Sequence, residues 1–245
     1  VVRGSGVAVQ TLGALAKQAG VQVSLHGRGG AWMVATAHAD ANLFEQAVQR
    51  SLDRKVCNTL NTCCIERQAC EALVPKLLAA LDKAGSQRQQ AFKLHVAKDS
   101  KEALPAYLFS QAIQVSRSGG HVEEMQAQVI DDDQLGHEWE WEQTPEMTFK
   151  VVGNLGEAVD LFNAHSPQFV ATLISEDAAE HDTFYRNVNA PFVGDAHTRW
   201  VDGQYALKKP ELGLSNWESG RLLGRPGILS GDTVFSLRTR YRSIK

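Results

Sequence analysis

The chain has 245 residues, 43% of them hydrophobic and 22% charged, with 25 basic against 28 acidic side chains and a net charge of -3. That is enough chain for one large or two modest domains with a real core. The balance excludes a general nucleic-acid or membrane-surface binder, and no apolar run is long enough to span a bilayer.

In chain order, Val1-Val2 reads as a strand leading into Arg3-Gly4-Ser5-Gly6, with a helix over 9–19 capped by Gly20. Val21, Val23 and Leu25 read as a buried strand, 26–30 as a turn, and 31–36 as another strand. Asp40 opens a helix through Phe44, Ala47, Val48 and Leu52. The run 61–65 is strand-like, and 67–84 is an amphipathic helix ended by Gly85. Residues 86–137 show weak periodicity, a Ser-Gly-Gly and three successive aspartates (131–133). They read as short elements plus an exposed insertion. Strand 148–152, helix 155–165 with Asn154 as N-cap, strand 169–175, helix 176–187 and strand 192–194 follow. A glycine-rich stretch over 203–231 precedes a final strand, 233–244. This alternation implies an α/β fold with a parallel sheet.

The four cysteines, Cys57, Cys63, Cys64 and Cys70, crowd into one stretch. A disulfide scaffold would spread them, so they imply reduced thiols and a cytosolic protein. No paired CxxC spacing exists, and no metal site is expected. Cys57 follows two basic residues in Arg54-Lys55-Val56-Cys57-Asn58-Thr59-Leu60. This layout suggests a thiol at a loop-to-helix corner, where free N–H groups and the helix dipole would lower its pKa. Cys63 and Cys64 alternate on the strand and Cys70 lies on the helix, which suits small core residues.

Several stretches together resemble the C-terminal half of gamma-glutamyl phosphate reductase (glutamate-5-semialdehyde dehydrogenase), a divergent branch of the aldehyde dehydrogenase superfamily. They are Val1-Val2-Arg3-Gly4-Ser5, Cys57-Asn58-Thr59-Leu60, Phe149-Lys150-Val151-Val152, Thr172-Leu173-Ile174-Ser175-Glu176-Asp177, Thr198-Arg199-Trp200-Val201-Asp202-Gly203 and the Arg221–Gly227 run. Departures fall at Ala31-Trp32, Asp195 and Leu212–Trp217, and the 86–137 region is longer than the resemblance leads one to expect. The resemblance implies an aldehyde-dehydrogenase-like catalytic domain, three-layered with a mostly parallel sheet. Residues 1–36 would be the tail of the dinucleotide-binding domain, 37–231 the catalytic domain, and 232–245 an oligomerisation strand of a homo-oligomer.

The implied reaction is NADP-dependent reduction of an acyl phosphate to an aldehyde through a Cys57 thioester, in proline biosynthesis. Asn58 and His26 join Cys57 as catalytic candidates; His26 stands where ordinary aldehyde dehydrogenases carry a general-base Glu. Gly4 and Ser5 would face the cofactor. Among Glu138, Glu140 and Glu142, Glu140 is the favoured cofactor contact. Thr198, Arg199 and Arg225 would bind substrate, with an Arg199–Asp202 pair as the structural alternative. With most of the cofactor crevice missing from this chain, NADP binding by the chain alone is not expected. A small-molecule partner is implied, with no nucleic acid and no membrane. The alternative is a cofactor-free assembly module of the same fold.

Overall fold

The computed structural model describes residues 2–4, 6–21, 23–202, 208–218, 221–222, 228–230 and 239–240. In chain order, β1 (Val2–Arg3) leads to α1 (Gly6–Gln18), β2 (Leu25–His26) and β3 (Ala31–Ala35). Next come α2 (Ala41–Ser51), β4 (Leu60–Glu66), α3 (Cys70–Ser86) and β5 (Lys93–Ala97). β6 (Ala112–Arg117) and β7 (Gly120–Met125) form a hairpin. β8 (Ala127–Ile130), β9 (Glu146–Val152), α4 (Leu155–His165), β10 (Val170–Ile174), α5 (Ala178–Asn187) and β11 (Phe192–Gly194) complete the main body. Four short strands follow: β12 (Glu211–Leu214), β13 (Trp217–Glu218), β14 (Arg221–Leu222) and β15 (Ile228–Ser230).

Seven strands form one sheet in the order β11-β10-β3-β4-β9-β5-β8, and every pairing in it is parallel. Parallel neighbours need crossover connections, which place helices over the faces and bury the strands on both sides. Successive side chains therefore divide between two cores. Met33, Ala35, Cys63 and Ile65 pack with Phe44 and Val48 of α2 and Leu73, Leu77 and Leu81 of α3. Trp32, Val34 and Cys64 pack with Ala158, Val159 and Phe162 of α4 and Phe184 of α5. The α/β, three-layered, mostly parallel architecture expected from the sequence is the observed one. Each fully buried leucine of α3 contributes roughly 1.5–3 kcal/mol of transfer free energy.

The helix starts are set by local chemistry. The Asp40 carboxylate accepts from the Leu43 N–H at 2.6 Å, and the Asn154 side chain accepts from Glu157 N–H at 3.0 Å. The Glu157 carboxylate in turn accepts from Gly153 N–H at 2.6 Å, a reciprocal arrangement that satisfies a further free donor. At the start of α5, Asp177 caps Ala179, while Glu180 accepts from Thr36, Ser175 and His38.

Three expectations change. Val21 is exposed rather than buried, and the strand there is only Leu25–His26. Ala31–Ala35, assigned to the tail of the dinucleotide-binding segment, hydrogen-bonds between β10 and β4 inside the large sheet. Of residues 86–137, read as short elements plus an exposed insertion, β5 and β8 belong to that sheet. Within that stretch the β6–β7 hairpin stands apart from the sheet. Lys93 and His95 disguise β5: both are buried, and their face of the sheet is polar, shared with Glu146, Thr148 and Lys150 of β9. Among the described residues no helix is long and apolar enough to cross a membrane. The expected final strand, 233–244, lies outside the described residues except for 239–240.

Candidate active site

A cleft of 1270 Å³ opens at the amino ends of the parallel strands. Its lining comes from segments that run directly into them: Gly27–Gly29 before β3, Lys55–Cys57 before β4, and 137–142 before β9. Cys57 is the one cysteine of the four in this lining.

The turn carrying Cys57 is stitched by Thr59, whose hydroxyl donates to Arg54 O at 2.6 Å and accepts from Val56 N–H at 2.8 Å. Cys57 O accepts from Gly30 N–H at 2.7 Å. The approach is so close that a Cβ on Gly29 would lie 2.5 Å from Cys57 O and 2.6 Å from Cys57 Cα, so only glycine fits there. Gly29 N–H donates to Glu138 Oε2 at 2.9 Å, and Lys55 Nζ pairs with Glu138 Oε1 at 2.6 Å. The 137–139 segment is bolted to β4 by Asn61, which donates to His137 O and accepts from Trp139 N–H. Asn216 does the same for the 27–28 turn, accepting from Gly27 N–H and donating to Arg28 O and Pro167 O.

The electrostatics of Cys57 reverse the expectation of an activated thiolate. The residue follows the carboxyl end of α2 and precedes a strand, so no helix amino terminus begins at it. Burial pushes the thiol up to about 11 from the ordinary 9.0, Glu211 and Glu138 push the same way, and Arg3 and Lys55 only partly oppose them. Burial also raises Cys63 and Cys64, which lie in the two cores as expected. All four cysteines are free thiols.

His26 lines the same cleft as Cys57. It is buried, its Nε2 lies 3.0 Å from Ser24 Oγ, and burial lowers its pKa, which keeps the ring neutral. Gly4 and Glu140 also line the cleft, whereas Ser5 lies outside the described residues. Glu138, Glu140 and Glu142 all reach it, but the carboxylate tied to the Cys57 turn is Glu138, not the favoured Glu140.

Other candidates stand elsewhere. Asn58 is outside the lining, with its side chain buried and Oδ1 unpartnered among the described residues. Thr198 donates through Oγ1 to Asn58 O at 2.7 Å and through its backbone N–H to Ser51 Oγ at 2.9 Å. Arg199 is buried and paired with Asp53 at 2.6 Å and Asp202 at 3.0 Å. Neither lines the cleft: Thr198 is bonded to Ser51 and Asn58, and Arg199 spends its fork on two carboxylates, one of them Asp53 of the same 51–58 segment. Arg225 lies outside the described residues. Sequence reasoning missed Gly29, Asn61 and Asn216. The glycine density of 27–30 was the one signal for the first, and nothing local marks the other two.

Solved structures place this architecture. The chain superposes on an acetylating aldehyde dehydrogenase from Geobacillus thermoglucosidasius with a TM-score of 0.58 at 13% identity, covering 99% of this chain and 57% of that one. A putative methylmalonate-semialdehyde dehydrogenase from Sinorhizobium meliloti gives 0.59 at 14% identity, covering 95% and 50%. The chain therefore has the fold of the aldehyde dehydrogenases. Within that fold it is similar to gamma-glutamyl phosphate reductase. The Thermotoga maritima structure of that enzyme gives a TM-score of 0.66 at 17% identity over 86% of this chain and 45% of that one. The Geobacter metallireducens enzyme is 25% identical over 199 residues, 80% of this chain. The chain spans 40% of the length of that curated relative. No protein-family model matches it.

Proposed function

We propose that this chain is the catalytic part of an NADP-dependent oxidoreductase that reduces gamma-glutamyl phosphate to glutamate-5-semialdehyde, in proline biosynthesis, through Cys57. The observation that carries the reading is the Cys57 turn, held by Gly30, Glu138 and Thr59 in a cleft large enough for a substrate. The similarity to gamma-glutamyl phosphate reductase supports the choice of substrate.

In this reading the Cys57 sulfur attacks the acyl carbon, a carbon–sulfur bond forms, the bond to the phosphate oxygen breaks, and phosphate leaves. The resting thiol is protonated, so its proton departs as the sulfur attacks. His26, neutral and in the same cleft, is the acceptor this reading assigns. The Cys57 backbone N–H serves the developing oxyanion, a role whose loss typically costs about 3–4 kcal/mol. The nicotinamide cofactor, when bound, supplies the hydride. The residues present fit part of it. Gly4 and Gly6 line the cleft at the amino end of α1, whose first turn carries no acidic residue, and Glu138 and Glu140 offer acceptors for ribose hydroxyls. The rest of the cofactor crevice would come from outside this chain, and a cytoplasmic homo-oligomer joined through 232–245 completes the proposal.

One observation favours a cofactor-free assembly module instead: the half-buried thiol, pushed up to about 11, is not poised at neutral pH. Incubation with acetyl phosphate and peptide mass spectrometry decides between them. We expect an acyl group on Cys57, none on Cys63, Cys64 or Cys70, and none after Cys57→Ser. An unmodified Cys57 in the folded protein removes the nucleophile and leaves the assembly module.

A further inference from the structure

We infer that Arg3 and Arg28 form an anion subsite in the Cys57 cleft and hold the phosphoryl group of an acyl phosphate against the thiol. The inference rests on the proposed acyl-phosphate reading, but phosphate binding needs no acyl transfer, so the two fail separately.

The cationic side chains lining the cleft differ in what they already hold. Lys55 is spent on Glu138 at 2.6 Å, and Arg117 on Glu124 and Glu146. Arg3 and Arg28 line the same cleft, and among the described residues neither makes an ion pair. Each is anchored instead by one backbone carbonyl. Arg3 Nη1 donates to Leu212 O at 3.1 Å, and Arg28 Nη2 donates to Gly136 O at 2.7 Å. Such a bond fixes a guanidinium without neutralising it and leaves the other N–H donors of the fork open.

The two forks flank His26. Arg3 pairs in register with His26 across β1 and β2, and Arg28 follows His26 by two residues. The Arg28 stem packs over Gly6, where a Cβ would lie 3.7 Å from its Cδ, so the side chain is held between α1 and the Gly136 carbonyl. Gly29, next in sequence, is the residue that abuts Cys57. Arg3 acts on Cys57 through space and opposes the rise in its thiol pKa. Planar guanidinium forks match the oxygens of a phosphoryl group, which accept paired, charge-assisted hydrogen bonds. Glu140 and Glu142 also line the cleft and weaken its overall field, so the recognition comes from the forks. In the proposed reaction the departing phosphate oxygen gains negative charge beside these donors, which favours its release.

The test measures how inorganic phosphate protects Cys57 from iodoacetamide at constant ionic strength, with the Cys57 peptide read by mass spectrometry. Protection should be saturable in the wild type. The half-protecting concentration should rise about tenfold in Arg28→Gln and in Arg3→Gln, as expected for losing a charge-assisted fork. It should not move in Arg67→Gln, which removes the same charge beyond the carboxyl end of β4, away from the cleft. Acetonylphosphonate, which keeps the anionic group of an acyl phosphate but cannot acylate, should protect with the same dependence on both arginines. NADP+ probes the other source of phosphate. Acetonylphosphonate protection that ignores both arginines, with NADP+ protection weakened by their loss, assigns the pair to the cofactor and overturns the inference. Absent protection, or a half-protecting concentration unchanged in both variants, overturns it too. Both side chains are exposed, and unmodified Cys63 and Cys64 report an intact core in the same spectrum. If one variant fails to fold, the other decides. Protection by phosphate without acylation by acetyl phosphate keeps the subsite and removes the nucleophile.

Discussion

The protonation of Cys57 yields a quantitative prediction. Its thiol is pushed from 9.0 to about 11, so at pH 7 about one molecule in ten thousand carries the thiolate, against about one in a hundred for a thiol at 9.0. Alkylation by iodoacetamide, followed by mass spectrometry of the Cys57 peptide, should therefore run about a hundredfold slower at pH 7 than for such a thiol. The rate should climb about tenfold per pH unit and level off near 11. Burial is the main cause and Glu211 the leading charge, so Glu211→Gln should move the midpoint down. The linkage has a definite sign. The folded state holds this proton more tightly than the unfolded one, so the contribution to stability is complete below pH 9 and is lost as pH rises through about 11. A plateau below pH 9 would refute the burial argument and restore an activated thiolate.

Two further perturbations test the surroundings. Gly29→Ala would put a Cβ 2.5 Å from Cys57 O, so the Cys57 turn must shift; a loss of roughly 1–3 kcal/mol in urea melts is expected. A change within about 0.5 kcal/mol would mean that the turn yields freely. The Glu124 carboxyl is held down to about 2 by Arg117 first and Lys93 second. Its stabilisation is present above the ordinary 4.5 and fades as pH falls through about 2. The stability gap between wild type and Glu124→Gln should therefore shrink across that window in acid melts. A gap independent of pH would rule out the ion pairs as its source.

Much of the fold was legible because its signals are local. Asp40 and Asn154 cap the helices they open, since a short side-chain oxygen at that position satisfies an otherwise free N–H. The strands at 31–35, 60–66 and 170–174 are apolar enough to read as buried, and the alternation of strand and helix implies parallel pairing. The strand over 61–65 was legible too, but Cys57, read as standing at a loop-to-helix corner, in fact stands just ahead of that strand. Strand β5 was not legible, because Lys93 and His95 look exposed until Glu124 and Glu146 arrive from distant parts of the chain to pair with them. The choice of Glu138 over Glu140 turns on a Gly29 N–H and a Lys55 side chain more than eighty residues away. Arg199 could be read as a substrate fork until Asp53 and Asp202 were seen to occupy it. The ionisation of Cys57 went furthest astray. Its two basic neighbours in sequence suggest a thiolate, but burial and the carboxylates of Glu211 and Glu138 act through space, and neither is written in the residues beside it. Local hydrogen bonding and hydrophobic period are properties of a short segment, whereas desolvation and charge pairing depend on which segments meet, and only the tertiary structure decides that.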